Sequence, residues 1–217
     1  MLNKIILASK SKVRKEILDK HKILCEVKPS NVDEDSVKQT LIRELASPEI
    51  ISKNLAELKA NKISLNERDR LVLGADSVID LNGELISKPE SREEALEILK
   101  KLNGNKHNLI SSVCISRNGS MIWNYTDKAE LTMKKLSEQD LKVYLSKISD
   151  ETLYAYNVYQ IEGEGRNLFL NINGDEDTIM GLPVFKIKEY LKTGNPIIVS
   201  SSPLIFKNKF LPSPSIW

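Results

Sequence analysis

The first part of the chain alternates between short apolar runs and segments with apolar residues at helical spacing. An apolar run at residues 5–8 predicts a buried strand, and the amphipathic segment after it predicts a helix that ends near His21. Ser47 followed by Pro48 is typical of an N-cap and the first residue of a helix. Apolar residues around positions 37–45 predict a further helix before it.

The middle of the chain shows the apolar runs that are typical of strands. Residues 71–79 predict a long buried strand, and the pairs Asn82-Gly83 and Asn118-Gly119 are typical of hairpin turns. The second turn joins strands that we expect at residues 109–116 and 121–133. We therefore expect these strands to belong to one sheet.

The end of the chain adds helices and strands in a less regular order. Ser91 and Glu94 match a capping box. The remaining predicted elements are helices that begin after Ser91, Ser137 and Pro183, and strands at residues 169–172 and 178–180. This order predicts an α/β protein with a mixed sheet. It lacks the regular alternation of a dinucleotide-binding fold.

Composition excludes several classes of function. The chain has 217 residues, 41% hydrophobic and 29% charged, which is a globular balance that suits one domain. A net charge of +2 gives no general attraction to nucleic acid or to acidic membranes. No apolar run approaches the ~18 residues of a membrane span. We therefore expect neither a membrane nor a specific nucleic acid as a partner.

The scarcity of cysteine and histidine narrows the chemistry further. Two cysteines and two histidines exclude a disulfide framework and a zinc cluster of these residues. A reduced, cytoplasmic compartment fits best. Residues 193–217 contain four of the eight prolines and no acidic residue. We interpret them as a C-terminal tail that follows a domain of residues 1–192.

The start of the first predicted helix collects hydroxyls and cations. Ser9 and Ser11 alternate with Lys10 and Lys12, and Arg14 follows within the first turn. The free N–H groups and the positive dipole of a helix N-terminus attract phosphate, and an arginine adds a bidentate contact. Ordinary capping beside a solvated basic face explains the same residues.

An aspartate stands at the end of the most apolar part of the long strand, in Gly74-Ala75-Asp76-Ser77. Burying an unpaired carboxylate is costly, so Asp76 must be hydrogen-bonded, bound to a metal or placed at a cleft. Such a carboxylate can hold Mg²⁺ and orient a water molecule. An aspartate that closes a turn is the alternative.

Three other charged positions have both a functional and an ordinary interpretation. Asp33, Glu34 and Asp35 form an acidic cluster in an expected loop, where they bind a hard divalent cation or are simply solvated. Lys88, before Pro89, meets a phosphate, pairs with Asp76 or lies on the surface. Glu162, in a strand-like segment, is a site residue or an edge-strand charge.

Taken together, these segments resemble the Maf family of nucleoside triphosphate pyrophosphatases from about residue 3 to residue 192. The elements that carry the resemblance are, in order, Leu7-Ala8-Ser9-Lys10-Ser11 with Arg14, Val32-Asp33-Glu34, Leu55-Ala56 with Lys59-Ala60, Gly74-Ala75-Asp76-Ser77-Val78, Lys88-Pro89, Leu102-Asn103-Gly104 with His107, Glu162-Gly163-Glu164-Gly165, Asn173-Gly174-Asp175 and Gly181-Leu182-Pro183. All of these elements in this order are highly specific to the family.

The resemblance implies an elongated mixed sheet with flanking helices, in two lobes around a central cleft. This fold is shared in outline with inosine-triphosphate pyrophosphatases. It also implies hydrolysis between the α- and β-phosphates of a nucleoside triphosphate, to a nucleoside monophosphate and pyrophosphate. The cofactor implied is a divalent cation, Mg²⁺ or Mn²⁺, and the assembly implied is a homodimer.

The resemblance also implies a role for each matching residue. Asp76 is the proton acceptor, Glu34 and Asp76 hold the metal, and Lys88 acts with them in catalysis. The residues implied to bind substrate or its phosphates are Ser9, Ser11, Arg14, Lys59 and Glu162.

The chain departs from the family pattern in ways that concern specificity. Glu162 stands where the dTTP- and UTP-preferring group has Gln, and this is similar to the 7-methyl-GTP-preferring group. A carboxylate only accepts hydrogen bonds, so it suits the N1–H and amino edge of a guanine. Lys12-Val13 replace a common Pro-Arg, and Tyr154 to Asn157 replace small residues.

Two alternatives to an active pyrophosphatase remain. One is a non-catalytic nucleotide sensor that regulates septum formation, and the other is a family member whose pocket has drifted.

Overall fold

A computed structural model describes residues 4–193 of the chain, in which seven strands form one mixed sheet. The strands are β1 (Ile5–Leu7), β2 (Cys25–Val27), β3 (Val72–Leu81), β4 (Glu84–Ile86), β5 (Lys106–Arg117), β6 (Ser120–Met133) and β7 (Phe169–Asn173). The helices are α1 (Lys12–Lys20), α2 (Glu34–Arg43), α3 (Pro48–Ser64), α4 (Arg92–Leu102), α5 (Glu138–Ser146), α6 (Asp150–Tyr156), α7 (Glu176–Ile179) and α8 (Val184–Thr193). Of the predicted tail, residues 194–217 lie outside the described part, and the domain boundary stays a prediction.

The sheet is mixed because its first strands run parallel and its later strands are joined by hairpins. The strand order is β2-β1-β3-β5-β6-β7, and β4 pairs with the end of β3. β1 is parallel to β2 and β3, whereas every other pairing is antiparallel. The predicted α/β fold with a mixed sheet and flanking helices is confirmed. Every helix in the described range is too short or too polar to span a membrane.

The long strand β3 passes from one hydrophobic cluster into another. Leu73 and Ala75 pack in a cluster with β1, α1 and α8, while Ile79 and Leu81 pack in a second cluster with α4 and α5. Burial of each large aliphatic side chain stabilises these clusters by about 1.5–3 kcal/mol. Asp76 and Ser77, which lie between the two sets, occupy the stretch of β3 where the cores meet.

Helix α3 lies unusually close to β3 at Gly74. A Cβ atom at this position would be 2.1 Å from the carbonyl oxygen of Ala56 and 2.7 Å from the amide nitrogen of Ala60. Only glycine permits such a close approach of two backbones. This packing brings Lys59, which precedes Ala60, against Asp76 two residues further along β3.

Two predicted features of the acidic segments are wrong. Glu34 and Asp35 lie in the first turn of α2 and not in a loop, because the preceding Asp33 carboxylate caps the helix by accepting a hydrogen bond from the Ser36 amide at 3.1 Å. Residues 178–180 do not form a strand. There the Asp175 side chain caps the short helix α7 through the Thr178 amide, which overrides the strand preference of that segment.

Three details between residues 90 and 168 also differ from the predictions. Glu162 lies in a turn before a 3-10 segment at Glu164–Leu168, and not in a strand-like segment. Helix α6, which begins after the cap Ser149, was not predicted. The capping box at α4 is only half formed, since the Glu94 carboxylate accepts from the amide of Glu90 rather than from that of Ser91.

Candidate active site

Lys59 is the centre of the candidate site. It is 5% exposed, and its ammonium lies 2.8 Å from Asp76 Oδ1 and 2.9 Å from Glu34 Oε2. Its third neighbour is the carbonyl oxygen of Ala75 at 3.5 Å. An ammonium has three N–H donors, so all three are directed at protein acceptors. Lys59 thus bridges the two carboxylates that the sequence analysis singled out.

Asp76 presents one carboxylate oxygen that the protein does not satisfy. The residue is 5% exposed, and Oδ1 accepts the hydrogen bond from Lys59. Oδ2 is buried and has no hydrogen-bond partner among the described residues. Leaving a buried polar atom unpaired is costly, so an atom of this kind marks a place for a ligand.

Glu34 is held beside this pair by the first turn of α2. Desolvation raises the pKa of Glu34, but Lys59, Lys38 and Arg14 together lower it by more, and Lys59 contributes most of that effect. The pKa of Glu34 therefore lies below its ordinary value. The side chain keeps its negative charge at neutral pH, as a ligand of a cation requires.

Arg14 ties three parts of the chain together. Its Nε donates to the carbonyl oxygen of Gly181 at 2.9 Å, and Nη1 donates to Ala75 O at 3.0 Å and Ser9 Oγ at 3.3 Å. Nη2 donates to Ser77 Oγ at 3.1 Å. Four of the five guanidinium N–H groups are thus engaged by the protein. Burial lowers the pKa of Arg14, while the charges of Asp76 and Glu34 raise it.

Ser9 and Ser11 shape the entry into α1. The Ser11 hydroxyl caps the helix by accepting a hydrogen bond from the Arg14 amide at 3.3 Å. The Ser9 hydroxyl accepts from the Ser11 amide at 3.2 Å as well as from Arg14. The helix start predicted here is confirmed. Phosphate binding by either hydroxyl stays a prediction.

Lys88 is exposed, but it interacts electrostatically with the charged residues of the site. Its pKa is lowered first by desolvation and then by the charges of Lys38 and Arg14, against the attraction of Glu34 and Asp76. The structure thus groups Lys88 with the residues around Lys59. Lys38, on α2, is a member of this group that the sequence analysis missed. Its spacing of four residues from Glu34 is the signal that points to it.

Glu162 is the one predicted site residue without a contact to this group. It is exposed, and no hydrogen bond or ion pair joins it to another residue of the described range. The structure therefore brings together seven of the predicted residues, directly or through one another's charge. They are Ser9, Ser11, Arg14, Glu34, Lys59, Asp76 and Lys88.

A second layer of hydroxyls supports the site from the sheet. Ser77 Oγ, which accepts from Arg14, lies 3.0 Å from Ser111 Oγ on the neighbouring strand β5. The Ser111 hydroxyl in turn donates to the carbonyl oxygen of Thr178 at 2.8 Å. This path links Arg14 to helix α7. No sequence motif pointed to Ser111 or Thr178.

The donor set fits a hard divalent cation whose other ligands come from elsewhere. Within residues 4–193, no group of three or more His, Cys, Asp or Glu side chains is arranged to hold a metal ion. Mg²⁺ is usually held by one or two carboxylates together with phosphate oxygens and water. The unpaired Oδ2 of Asp76 and the second oxygen of Glu34 match that pattern.

Comparison with known proteins assigns the chain to a family. A family model described as Maf-like protein matches residues 4–194. A nucleoside triphosphate pyrophosphatase from Pelagibacter ubique is 71% identical over 192 residues, which cover 88% of this chain and 98% of that protein. A protein from Rhizobium etli named 7-methyl-GTP pyrophosphatase is 34% identical and covers 86% of this chain and 94% of its own length.

Among solved structures, a HAM1 protein from Coxiella burnetii aligns with a TM-score of 0.38 and 12% identity, over 61% of this chain and 74% of its own. The family match spans the whole described range and includes every residue of the site around Lys59. The chain belongs to the Maf family.

Proposed function

We propose that this chain is a nucleoside triphosphate pyrophosphatase. It hydrolyses the bond between the α- and β-phosphates and releases a nucleoside monophosphate and pyrophosphate. The observation that carries this proposal is the buried bridge from Glu34 through Lys59 to Asp76, which leaves Asp76 Oδ2 unpaired. The names of the relatives from Pelagibacter ubique and Rhizobium etli support it.

Asp76 acts as the proton acceptor in this account. Phosphoryl transfer depends mainly on positioned groups and on charge placed against the phosphate oxygens. Oδ1 of Asp76 is fixed by Lys59, so Oδ2 is held ready to orient the attacking water and to accept its proton. Glu34 and Asp76 would together hold Mg²⁺ or Mn²⁺, which when bound neutralises charge on the phosphate oxygens.

Lys59 and Arg14 differ in how many N–H donors they have left for a substrate. The three N–H groups of Lys59 are directed at protein acceptors, so we assign Lys59 to positioning the two carboxylates rather than to binding phosphate. Arg14 uses four of its five N–H groups on the protein and keeps one for a phosphate oxygen. Lys88, together with Ser9 and Ser11, completes the phosphate contacts.

The base that the enzyme prefers follows from Glu162. An exposed carboxylate without an ion pair in the described range is available to accept from the N1–H and amino group of a guanine. It also attracts the positive charge of a 7-methylated base. We therefore propose 7-methyl-GTP as the preferred substrate, and the name of the Rhizobium etli relative supports this choice.

The cellular role that fits this reaction is removal of modified nucleotides from the cytoplasmic pool. The two cysteines, Cys25 and Cys114, are free and buried, which suits a reducing compartment. A homodimer and a link to cell-division arrest are further parts of the proposal. A protein that binds nucleotide without turnover would instead be a sensor that regulates septum formation.

Separation of the products by ion-exchange chromatography tests the proposal. The purified chain is incubated with 7-methyl-GTP, GTP, UTP or dTTP, in the presence of Mg²⁺, Mn²⁺ or a chelator. We expect a monophosphate and pyrophosphate in equal amounts, formed with either metal and not with the chelator. Release of a diphosphate and inorganic phosphate would contradict the position of cleavage. Binding without any product would favour the sensor.

A further inference from the structure

A cation outside the family motifs lies beside the acidic pair. Lys38 is one helical turn after Glu34 on α2, and side chains at this spacing are neighbours on one face of a helix. Glu34 extends from that face to Lys59. Lys38 is half-buried, and no carboxylate of the described residues lies within 4.0 Å of its ammonium. Its donors are therefore not used by an acidic partner between residues 4 and 193.

Two other cations of the site, Lys59 and Arg14, use most of their N–H donors on the protein. Lys59 directs its three N–H groups at Asp76, Glu34 and a carbonyl oxygen. Arg14 uses four of its five. A triphosphate carries about four negative charges and many acceptor oxygens, so these two residues alone cannot satisfy it. Lys38 supplies donors that the motif residues lack.

The charges around Lys38 favour an anionic ligand. Lys38 acts on both Glu34 and Lys88, and among the charges near Lys88 it has the largest effect. Cations that are held near one another in a partly desolvated place repel, and an anion between them relieves that repulsion. The group contains four cations (Arg14, Lys38, Lys59 and Lys88) and two carboxylates (Glu34 and Asp76).

We propose that Lys38 binds the phosphate groups that leave as pyrophosphate. The identity of the substrate rests on the function proposed above. The attacked phosphorus must lie near Asp76, which orients the water. Asp76 contacts Lys59, and Lys59 contacts Glu34. Lys38 lies one helical turn beyond Glu34 and does not contact Asp76. It therefore fits the terminal phosphates rather than the α-phosphate.

Calorimetric binding of inorganic pyrophosphate in the presence of Mg²⁺ tests this without turnover. The samples are the wild-type chain, Lys38→Ala, Lys38→Arg and the control Arg43→Ala, which removes an exposed cation at the other end of the same helix. We expect the Kd to rise about tenfold in Lys38→Ala, the loss of one charge-assisted hydrogen bond. Lys38→Arg retains most of the affinity, and Arg43→Ala matches the wild type.

Equal affinity of Lys38→Ala and the wild type would overturn the inference, and so would a wild-type chain that does not bind pyrophosphate. Lys38→Ala is expected to fold, because alanine favours helices and no ion pair is lost. Steady-state kinetics on the same samples separate the two proposals. A wild type that binds pyrophosphate but turns over no nucleotide contradicts the proposed function alone. In an active enzyme, we expect Lys38→Ala to raise KM with little change in kcat.

Discussion

The ammonium of Lys59 lies 2.8 Å from Asp76 Oδ1 in a place where both side chains are buried. The contact exists because helix α3 approaches β3 at Gly74 more closely than any other residue would allow. A buried charge is tolerated only with a partner, so each of these two residues compensates the charge of the other. The packing of α3 thereby fixes the orientation of the carboxylate that we assign to catalysis.

Removal of the Lys59 charge should destabilise the protein. In Lys59→Met, the buried Asp76 loses its partner and Glu34 loses its ion pair, which should lower the free energy of unfolding by about 3 kcal/mol. Urea unfolding followed by circular dichroism measures this difference. The double variant Lys59→Met/Asp76→Asn should recover part of the loss, because it no longer buries an unpaired charge. Strictly additive effects of the two substitutions would show that Lys59 and Asp76 have no interaction energy with each other.

Enlarging Gly74 should push α3 away from the sheet. The new methyl group of Gly74→Ala would collide with the backbone at Ala56, so we expect a loss of about 3 kcal/mol in the free energy of unfolding. The matched control is Gly163→Ala, where the nearest atom lies 4.0 Å from the added Cβ. Denaturant unfolding of both variants gives the comparison. A Gly74→Ala variant as stable as the control would contradict the close packing seen here.

His107 should make the protein less stable at acidic pH. The residue is 2% exposed, its Nε2 lies 2.7 Å from the Tyr159 hydroxyl, and its Nδ1 has no partner in the described range. Burial lowers the pKa of His107 to about 4, whereas the unfolded value is about 6.5. Because the unfolded state takes up the proton first, the stability present above pH 6.5 is lost as the pH falls toward 4.

The variant His107→Gln isolates this effect. Glutamine stays neutral and can still bond to Tyr159, so the difference in unfolding free energy between pH 7 and pH 4 should be smaller than in the wild type. The shift in pKa corresponds to about 3 kcal/mol at most. Unfolding curves at several pH values give the comparison. Parallel pH profiles of the two proteins would show that folding does not change the pKa of His107.

Glu162 should decide between purine and pyrimidine substrates. The substitution Glu162→Gln supplies an amide N–H donor for a pyrimidine carbonyl, so the ratio of kcat/KM for 7-methyl-GTP to that for UTP should fall at least about tenfold. Glu164→Gln is the control, because it makes the same change on an exposed residue two positions away. An unchanged ratio would show that Glu162 does not determine which base the enzyme prefers. A pyrimidine preference in the wild type would overturn the 7-methyl-GTP proposal itself.

The elements that could be predicted from sequence are those with strong local signals. Helices α1 and α3 begin directly after Ser11 and Ser47, whose hydroxyls cap them. The cap at Ser47 is predicted from sequence, and capping at Ser11 is one of the two interpretations of that segment. Helix α7 was mistaken for a strand, because Thr178 and Ile179 favour strands and the cap at Asp175 is a single side-chain contact. Four residues are too few for a periodic pattern to decide.

The site could be predicted in its members but not in its contacts. Motif residues such as Glu34 and Asp76 are singled out from separate segments, and the structure places both in contact with one ammonium. Lys59 was expected to bind phosphate. Its engagement by the carboxylates depends on how α3 packs at Gly74, and no pattern of residue types encodes that distance. Lys38 was missed because it belongs to no motif.

The most direct test of the whole account is the rate of pyrophosphate release from 7-methyl-GTP with Mg²⁺, measured for the wild type, Asp76→Asn and Asp80→Asn. Asp80 lies on the same strand, and its carboxylate accepts a hydrogen bond from the Gly83 amide in the hairpin turn. We expect Asp76→Asn to lower kcat at least about a hundredfold while Asp80→Asn remains active. Turnover by Asp76→Asn at the wild-type rate would contradict the role of Asp76 at the centre of this site.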